Sequence, residues 1–135
     1  MMIDTKKAFE LETSNFIDLS EGPTGVYPEE FSVLWTPSTS LPYFEGHFPE
    51  NPILPAVAII DATLSFLSQK LDHPNLEISE LVNCKFTGII QPGNDLVIRF
   101  TLKQTGDSHL ECQATWSFSK ELEKKVVSLQ ISLKV

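Results

Sequence analysis

A histidine and an aspartate stand fourteen positions apart near the middle of the chain, His47 in a proline-rich loop and Asp61 in an apolar segment. A histidine titrates near neutral pH, so it can take up and return a proton. A carboxyl group in a dry pocket stays protonated and can donate one. The pair therefore suits a reaction that needs one base and one acid. A structural histidine and a core aspartate held by Ser65 or a backbone amide are the alternatives.

The residues from position 55 onward predict the helix that carries the aspartate. Pro55 suits a first helical turn, where a missing N–H costs nothing. Apolar residues then cover most faces of a helix over 56–71, which indicates a buried helix. Asp61, Ser65 and Ser68 fall on one stripe of it.

β-forming residues before the helix and period-2 alternation of apolar and polar residues after it predict strands on both sides of the helix. We predict two short strands before it and four after it, at positions 15–19, 31–35, 76–86, 96–102, 110–118 and 127–133. Residues 1–12 are read either as a short helix or as a loose arm. A sheet wrapped around one buried helix is the simplest way to cover both, which is an α+β arrangement.

Composition and charge limit the class of protein. With 135 residues, 41% hydrophobic and 21% charged, the chain fits one globular domain over 1–135. A net charge of -8 argues against nucleic-acid binding. No apolar run is long enough for a membrane span, and the N-terminus shows no export signal, so we expect a cytoplasmic protein.

The remaining cysteines and histidines suggest no further site. Cys84 and Cys112 are far apart in sequence and are expected to be reduced, packed thiols. His73 and His109 are expected to be solvated turn residues. Three histidines without ligand spacing give no reason to expect a metal.

A motif surrounds the histidine and the aspartate. The run from Gly46 to Pro49 reads Gly-His-Phe-Pro, and Pro52, Pro55 and Asp61 follow it. This segment resembles the signature of the 3-hydroxyacyl-(acyl carrier protein) dehydratases of fatty-acid synthesis. That family places a Glu or Asp at the same distance after the histidine.

The resemblance implies a hotdog fold, in which an antiparallel sheet wraps around a long buried central helix. It implies that His47 is the base and Asp61 the acid in the removal of water from 3-hydroxyacyl thioesters. The amides of Ala56 and Val57 would bind the enolate oxygen, and the helix would line a tunnel for the acyl chain. No cofactor is expected.

Two positions depart from the family pattern. Ala56 replaces the glycine that opens the helix, and Ser65 replaces a glutamine that helps to orient the acid. These departures favour an alternative, a non-catalytic acyl-thioester binder or a partner subunit in a heteromeric dehydratase. A thioesterase on the same scaffold is a further alternative, although no nucleophile is better placed than Asp61.

The resemblance also predicts partners. The substrate would be carried by acyl carrier protein or by coenzyme A. Carrier proteins are acidic, so an acidic chain would dock one through a local basic cluster, for which Lys70 and Lys85 are candidates. We expect a homodimer or a dimer of dimers, or a heteromeric partner, with His47 of one chain and Asp61 of the other in each site.

Overall fold

The computed structural model describes residues 13–20, 29–38 and 53–135. The predicted base His47, the loop over 39–52 and the segments 1–12 and 21–28 lie outside the described residues. In the described part, one long helix and six strands occur in the order β1 (Ile17–Asp18), β2 (Glu30–Trp35), the central helix (Ala56–Lys70), β3 (Glu77–Phe86), β4 (Leu96–Gly106), β5 (His109–Phe118) and β6 (Lys125–Lys134).

The strands form one antiparallel sheet in the order β1-β2-β4-β5-β6-β3. Strands β4, β5 and β6 are sequential neighbours, as expected for a meander with short turns. Gly93 has φ 87° in the turn before β4, a left-handed conformation that glycine adopts without strain. The order leaves β1, with two residues, and β3, with ten, at the two edges.

Alternation along the strands gives the sheet one apolar and one polar face. On β4, Ile98 and Phe100 are buried, whereas Arg99, Thr101 and Lys103 are exposed. Strands β5 and β6 alternate in the same way. Since side chains of a strand point to opposite faces in turn, the apolar face packs against the helix and the polar face meets solvent.

Three aromatic side chains join the helix to the apolar face. Trp35 of β2, Phe66 of the helix and Trp116 of β5 are fully buried, with ring centroids 5.4, 5.9 and 6.2 Å apart. The indole Nε1–H of Trp116 donates to Thr63 Oγ1 over 3.1 Å, and Thr63 donates in turn to the Ile59 carbonyl. Trp35 and Trp116 are therefore core residues of the chain.

The predicted succession of elements is confirmed, with differences at their ends. The helix ends at Lys70, one residue before the predicted end, because Leu71 is its C-cap. The first strand has two residues, shorter than the predicted 15–19, and in the turn that ends it Asp18 Oδ1 accepts a hydrogen bond from the Ser20 amide. The four later strands keep their predicted positions within a few residues at each end.

One charged side chain is buried although its sequence context predicts a surface residue. Lys70, expected to be a docking cation, is 4% exposed, and its Nζ lies 2.6 Å from Asp18 Oδ2. The same ammonium group is 5.7 Å from the centroid of the Phe31 ring. Burial and pairing stabilise this lysine inside the fold, so the prediction that it docks a carrier protein is wrong.

Candidate functional site

The start of the central helix presents two backbone donors. Pro55 is the N-cap, with φ -73° and ψ 160°, and no side chain of the described residues caps the helix. The Pro55 carbonyl accepts hydrogen bonds from the amides of Ala58 and Ile59, at 3.0 and 3.1 Å. Among the described residues, the amides of Ala56 and Val57 have no acceptor. The first amides of a helix carry partial positive charge, so they can bind a developing negative charge.

The aspartate lies one turn farther along the same face of the helix. Val57 and Asp61 are both exposed and four residues apart, which corresponds to a rise of about 6 Å along the axis. The opposite face carries the buried residues of the helix: Ala58, Ile59, Ala62, Thr63, Phe66, Leu67 and Lys70. The fold therefore leaves Ala56, Val57 and Asp61 accessible on the first two turns of the helix.

The surroundings of Asp61 differ from a dry pocket in the single chain. Its side chain is exposed, whereas the chemistry predicted for it requires a desolvated carboxyl group. The role of Asp61 as the acid stays a prediction.

Ser65, the predicted support of Asp61, belongs to a network on the next turn. Its hydroxyl group lies 2.8 Å from Thr13 Oγ1, and it accepts a hydrogen bond from Gln69 Nε2 over 2.9 Å. The same amide nitrogen donates to the Ser65 carbonyl at 3.2 Å. Sequence reasoning missed Gln69, although it continues the four-residue spacing from Asp61 and Ser65. The role of Ser65 toward Asp61 stays a prediction.

Exposed apolar side chains surround the start of the helix. The Leu54 amide donates to the Ile90 carbonyl over 2.8 Å, which holds the helix start beside the segment that follows β3. Val57 and Ile89 are 57% and 59% exposed, and Phe86 at the end of β3 is 39% exposed. Apolar surface of this extent beside polar groups is typical of an interaction or ligand site.

Other groups with possible chemistry lie elsewhere. Both cysteines are free, as expected, and burial raises the pKa of the Cys112 thiol to about 12. That thiol therefore stays protonated at neutral pH and is a poor nucleophile. His109 is exposed at the start of β5, as expected. His73 is partly exposed, and its Nδ1 atom is buried without a hydrogen-bond partner among the described residues, so this side chain is less solvated than expected.

The described ranges contain neither a candidate metal site nor a candidate membrane span. No group of three or more His, Cys, Asp or Glu side chains in residues 13–20, 29–38 and 53–135 could hold a metal ion. No helix in the same ranges is long and apolar enough to cross a membrane.

The family of the chain follows from a direct comparison. Residues 27–129 match the family model of the ApeI-like dehydratases, described as ApeI dehydratase. The chain belongs to the ApeI-like dehydratase family. The matched region contains the central helix and the predicted site residues, and it extends into β6.

Curated relatives of this ApeI-like chain include dehydratases. The 3-hydroxyacyl-(acyl carrier protein) dehydratase FabZ of Brucella ovis is 34% identical over 97 residues, which cover 65% of this chain and 62% of the relative. The enzyme of the same name from Caldanaerobacter subterraneus is 26% identical over 102 residues, covering 68% and 65%. The chain thus spans somewhat less than two thirds of the length of these curated relatives.

Solved structures show the fold of this ApeI-like chain. A chain of the dehydratase heterocomplex ApeI:P from Xenorhabdus doucetiae has a TM-score of 0.64 and 25% identity, covering 88% of this chain and 97% of that chain. A hypothetical thioesterase protein with coenzyme A from Streptococcus pneumoniae has a TM-score of 0.63 at 10% identity, covering 96% and 94%. The predicted hotdog fold is confirmed.

Proposed function

We propose that this protein catalyses the reversible dehydration of 3-hydroxyacyl thioesters to trans-2-enoyl thioesters in fatty-acid or related acyl-chain synthesis. The observation that carries the proposal is that Ala56, Val57 and Asp61 are all exposed on the first two turns of the central helix, where the amides of Ala56 and Val57 have no acceptor among the described residues. Family membership and the 34% identity to a dehydratase support it.

The proposed chemistry needs only groups of the protein. His47 takes the proton from C2 of the acyl chain, and the electron pair moves toward the thioester carbonyl. The amides of Ala56 and Val57 stabilise the resulting charge on the carbonyl oxygen. Asp61 protonates the C3 hydroxyl group, the C3–O bond breaks, and water leaves as the C2–C3 double bond forms. The proton on His47 passes to solvent and Asp61 takes one back, which restores the starting state.

We propose that two chains complete each site, with His47 of one and Asp61 of the other. Strand β3 supports this assembly because it is a ten-residue edge strand with Leu81 and Val82 about half exposed. An edge of this length and apolarity is a template for pairing with a second chain. Covering the neighbouring helix face would also desolvate Asp61. A homodimer and a dimer of dimers both satisfy these requirements.

A heteromeric assembly is the second candidate. The solved ApeI:P structure is a dehydratase heterocomplex, and one of its chains has 25% identity to this protein. In such a complex this chain would contribute its residues to a site shared with a different hotdog subunit. The methyl group of Ala56 beside the thioester position favours a subunit with reduced activity of its own.

The acyl group would arrive on acyl carrier protein or coenzyme A. With Lys70 buried, the exposed Lys85 of β3 remains from the predicted docking cluster, and carrier binding should be weak and salt-sensitive. Both cysteines are free, which is consistent with a reducing compartment, and we propose the cytoplasm.

A thioesterase is the other enzymatic candidate, because a structural neighbour is a hypothetical thioesterase with coenzyme A. Incubation with a 3-hydroxyacyl thioester distinguishes the candidates. Appearance of the ultraviolet absorbance of the conjugated enoyl thioester, without release of free thiol, would support dehydration. Release of free thiol without that absorbance would indicate hydrolysis. Saturable binding with neither change would indicate a binding subunit. A panel of acyl chains would then define the substrate length.

A further inference from the structure

The polar face of the sheet contains a groove that is separate from the helix. It has a volume of about 390 Å³, and the side chains that matter for its chemistry are those of Glu30, Ser32, Arg99, Gln113, Thr115 and Lys125. These residues come from β2, β4, β5 and β6. The sheet lies between this groove and the central helix, so a molecule bound here does not contact Asp61.

Strand register explains why a depression forms around the arginine. Arg99 lies directly opposite Ser32 on one side and Thr115 on the other. Side chains at such positions are about 5 Å apart, so two short hydroxyl side chains flank the long guanidinium group. Lys125 lies opposite Ser117, two residues along β5 from Thr115. Arg99 and Lys125 therefore lie beside short polar side chains in the groove.

Four polar side chains that line the groove form no ion pair or hydrogen bond with one another. Within residues 13–20, 29–38 and 53–135, Arg99 and Lys125 form no ion pair, and the side chains of Gln113 and Thr115 form no hydrogen bond. Elsewhere on the same polar face, by contrast, Ser132 donates to the Glu111 carboxylate at 2.8 Å. The groove thus presents several free donors at one place.

The charge of the groove also differs from that of the whole chain. Arg99 is the one arginine of the sequence, and the protein carries a net charge of -8. The groove has two cations and one carboxylate, Glu30, which gives it a local positive excess. A guanidinium group matches a phosphate or carboxylate with two parallel hydrogen bonds, and an ammonium group adds a compact charge.

We propose that this groove binds a phosphate group. Arg99 and Lys125 bind its oxygens, and the Thr115 hydroxyl and the Gln113 amide donate further hydrogen bonds. Glu30 accepts a hydrogen bond from a hydroxyl group next to the phosphate, which favours an organic phosphate such as a nucleotide over inorganic phosphate. The site is independent of the proposed dehydratase chemistry.

The test uses the single arginine as a probe. Its Nε–H group gives one arginine side-chain signal in a ¹H–¹⁵N spectrum of the full-length protein. Inorganic phosphate is titrated at constant ionic strength, and the shift of that signal gives the affinity. Backbone signals on β4 and β5 report the same binding in variants that lack the arginine.

Arg99→Gln and Lys125→Gln should each weaken phosphate binding by about tenfold or more, because each removes a charge-assisted hydrogen bond. Lys103→Gln is the matched control, since this exposed lysine lies on the same strand and face but does not line the groove. It should change affinity by less than about twofold, as expected for an isolated surface charge.

A second titration distinguishes a nucleotide ligand from free phosphate. Adenosine 3′,5′-bisphosphate binding at least about tenfold more tightly than inorganic phosphate, with the same dependence on Arg99, would identify a nucleotide ligand. Equal affinities would identify free phosphate. No shift of the arginine signal with either compound, or equal losses in all three variants, would overturn the proposal.

Discussion

At the scale of single residues, Thr63 links the central helix to the sheet through one buried hydroxyl group. It accepts from Trp116 Nε1 and donates to the Ile59 carbonyl. Thr63→Val would leave the buried indole N–H without an acceptor, so the free energy of unfolding should fall by about 1–3 kcal/mol. Thr63→Ser keeps the oxygen and loses only a methyl group, at about 1 kcal/mol. Urea denaturation measures both; a valine variant at least as stable as the serine variant would refute this role.

Single residues also show which contacts could not be predicted from the sequence. The motif and the helix pattern predicted Asp61 together with Ala56 and Val57, since all three lie within six positions of one element. The partners of Thr63 and Lys70 lie 53 and 52 positions away in sequence, so no local pattern indicated them. Lys70 consequently resembled a surface cation, although Asp18 holds it inside the fold.

At the scale of elements, Gly88 permits the close approach of the segment after β3 to the start of β6. A Cβ atom at this position would lie 2.6 Å from Val126 Cγ1. Gly88→Ala should therefore lower the free energy of unfolding by about 1–3 kcal/mol, as overpacking does. Adding Val126→Ala removes the nearest obstructing atom, Cγ1, and leaves the Cβ atom at 2.8 Å, so the double variant should lose less stability than the two single variants together. Strict additivity of the two losses in thermal or urea denaturation would contradict this packing argument.

The helix and the strands differ in how far the sequence determined them. Pro55 and a continuous apolar pattern identified the helix nearly to its last residue. Strand β1 was predicted too long, and only its last residue is accounted for by the turn between Asp18 and Ser20. Strand β3 has mostly exposed residues on both faces, so its sequence alone could not show which face another chain would cover.

At the scale of the whole molecule, the proposed site requires two chains. His47→Ala and Asp61→Asn chains, each inactive alone, should regain activity when they are unfolded and refolded together. A mixed dimer would have one intact site, so activity should return to about a quarter of wild type if half the dimers are mixed. Native mass spectrometry would establish the mixing. Absence of recovery in dimers of proven mixed composition would mean that each site lies within one chain.

The most direct test of the proposed chemistry is the hydration rate of a trans-2-enoyl thioester in the two single variants. Loss of the enoyl absorbance measures the rate, and near-ultraviolet circular dichroism of the buried Trp35 and Trp116 verifies folding. His47→Ala and Asp61→Asn should each abolish hydration while the fold is kept, because one removes the base and the other the acid. A near-wild-type rate in either variant would contradict the role assigned to that residue.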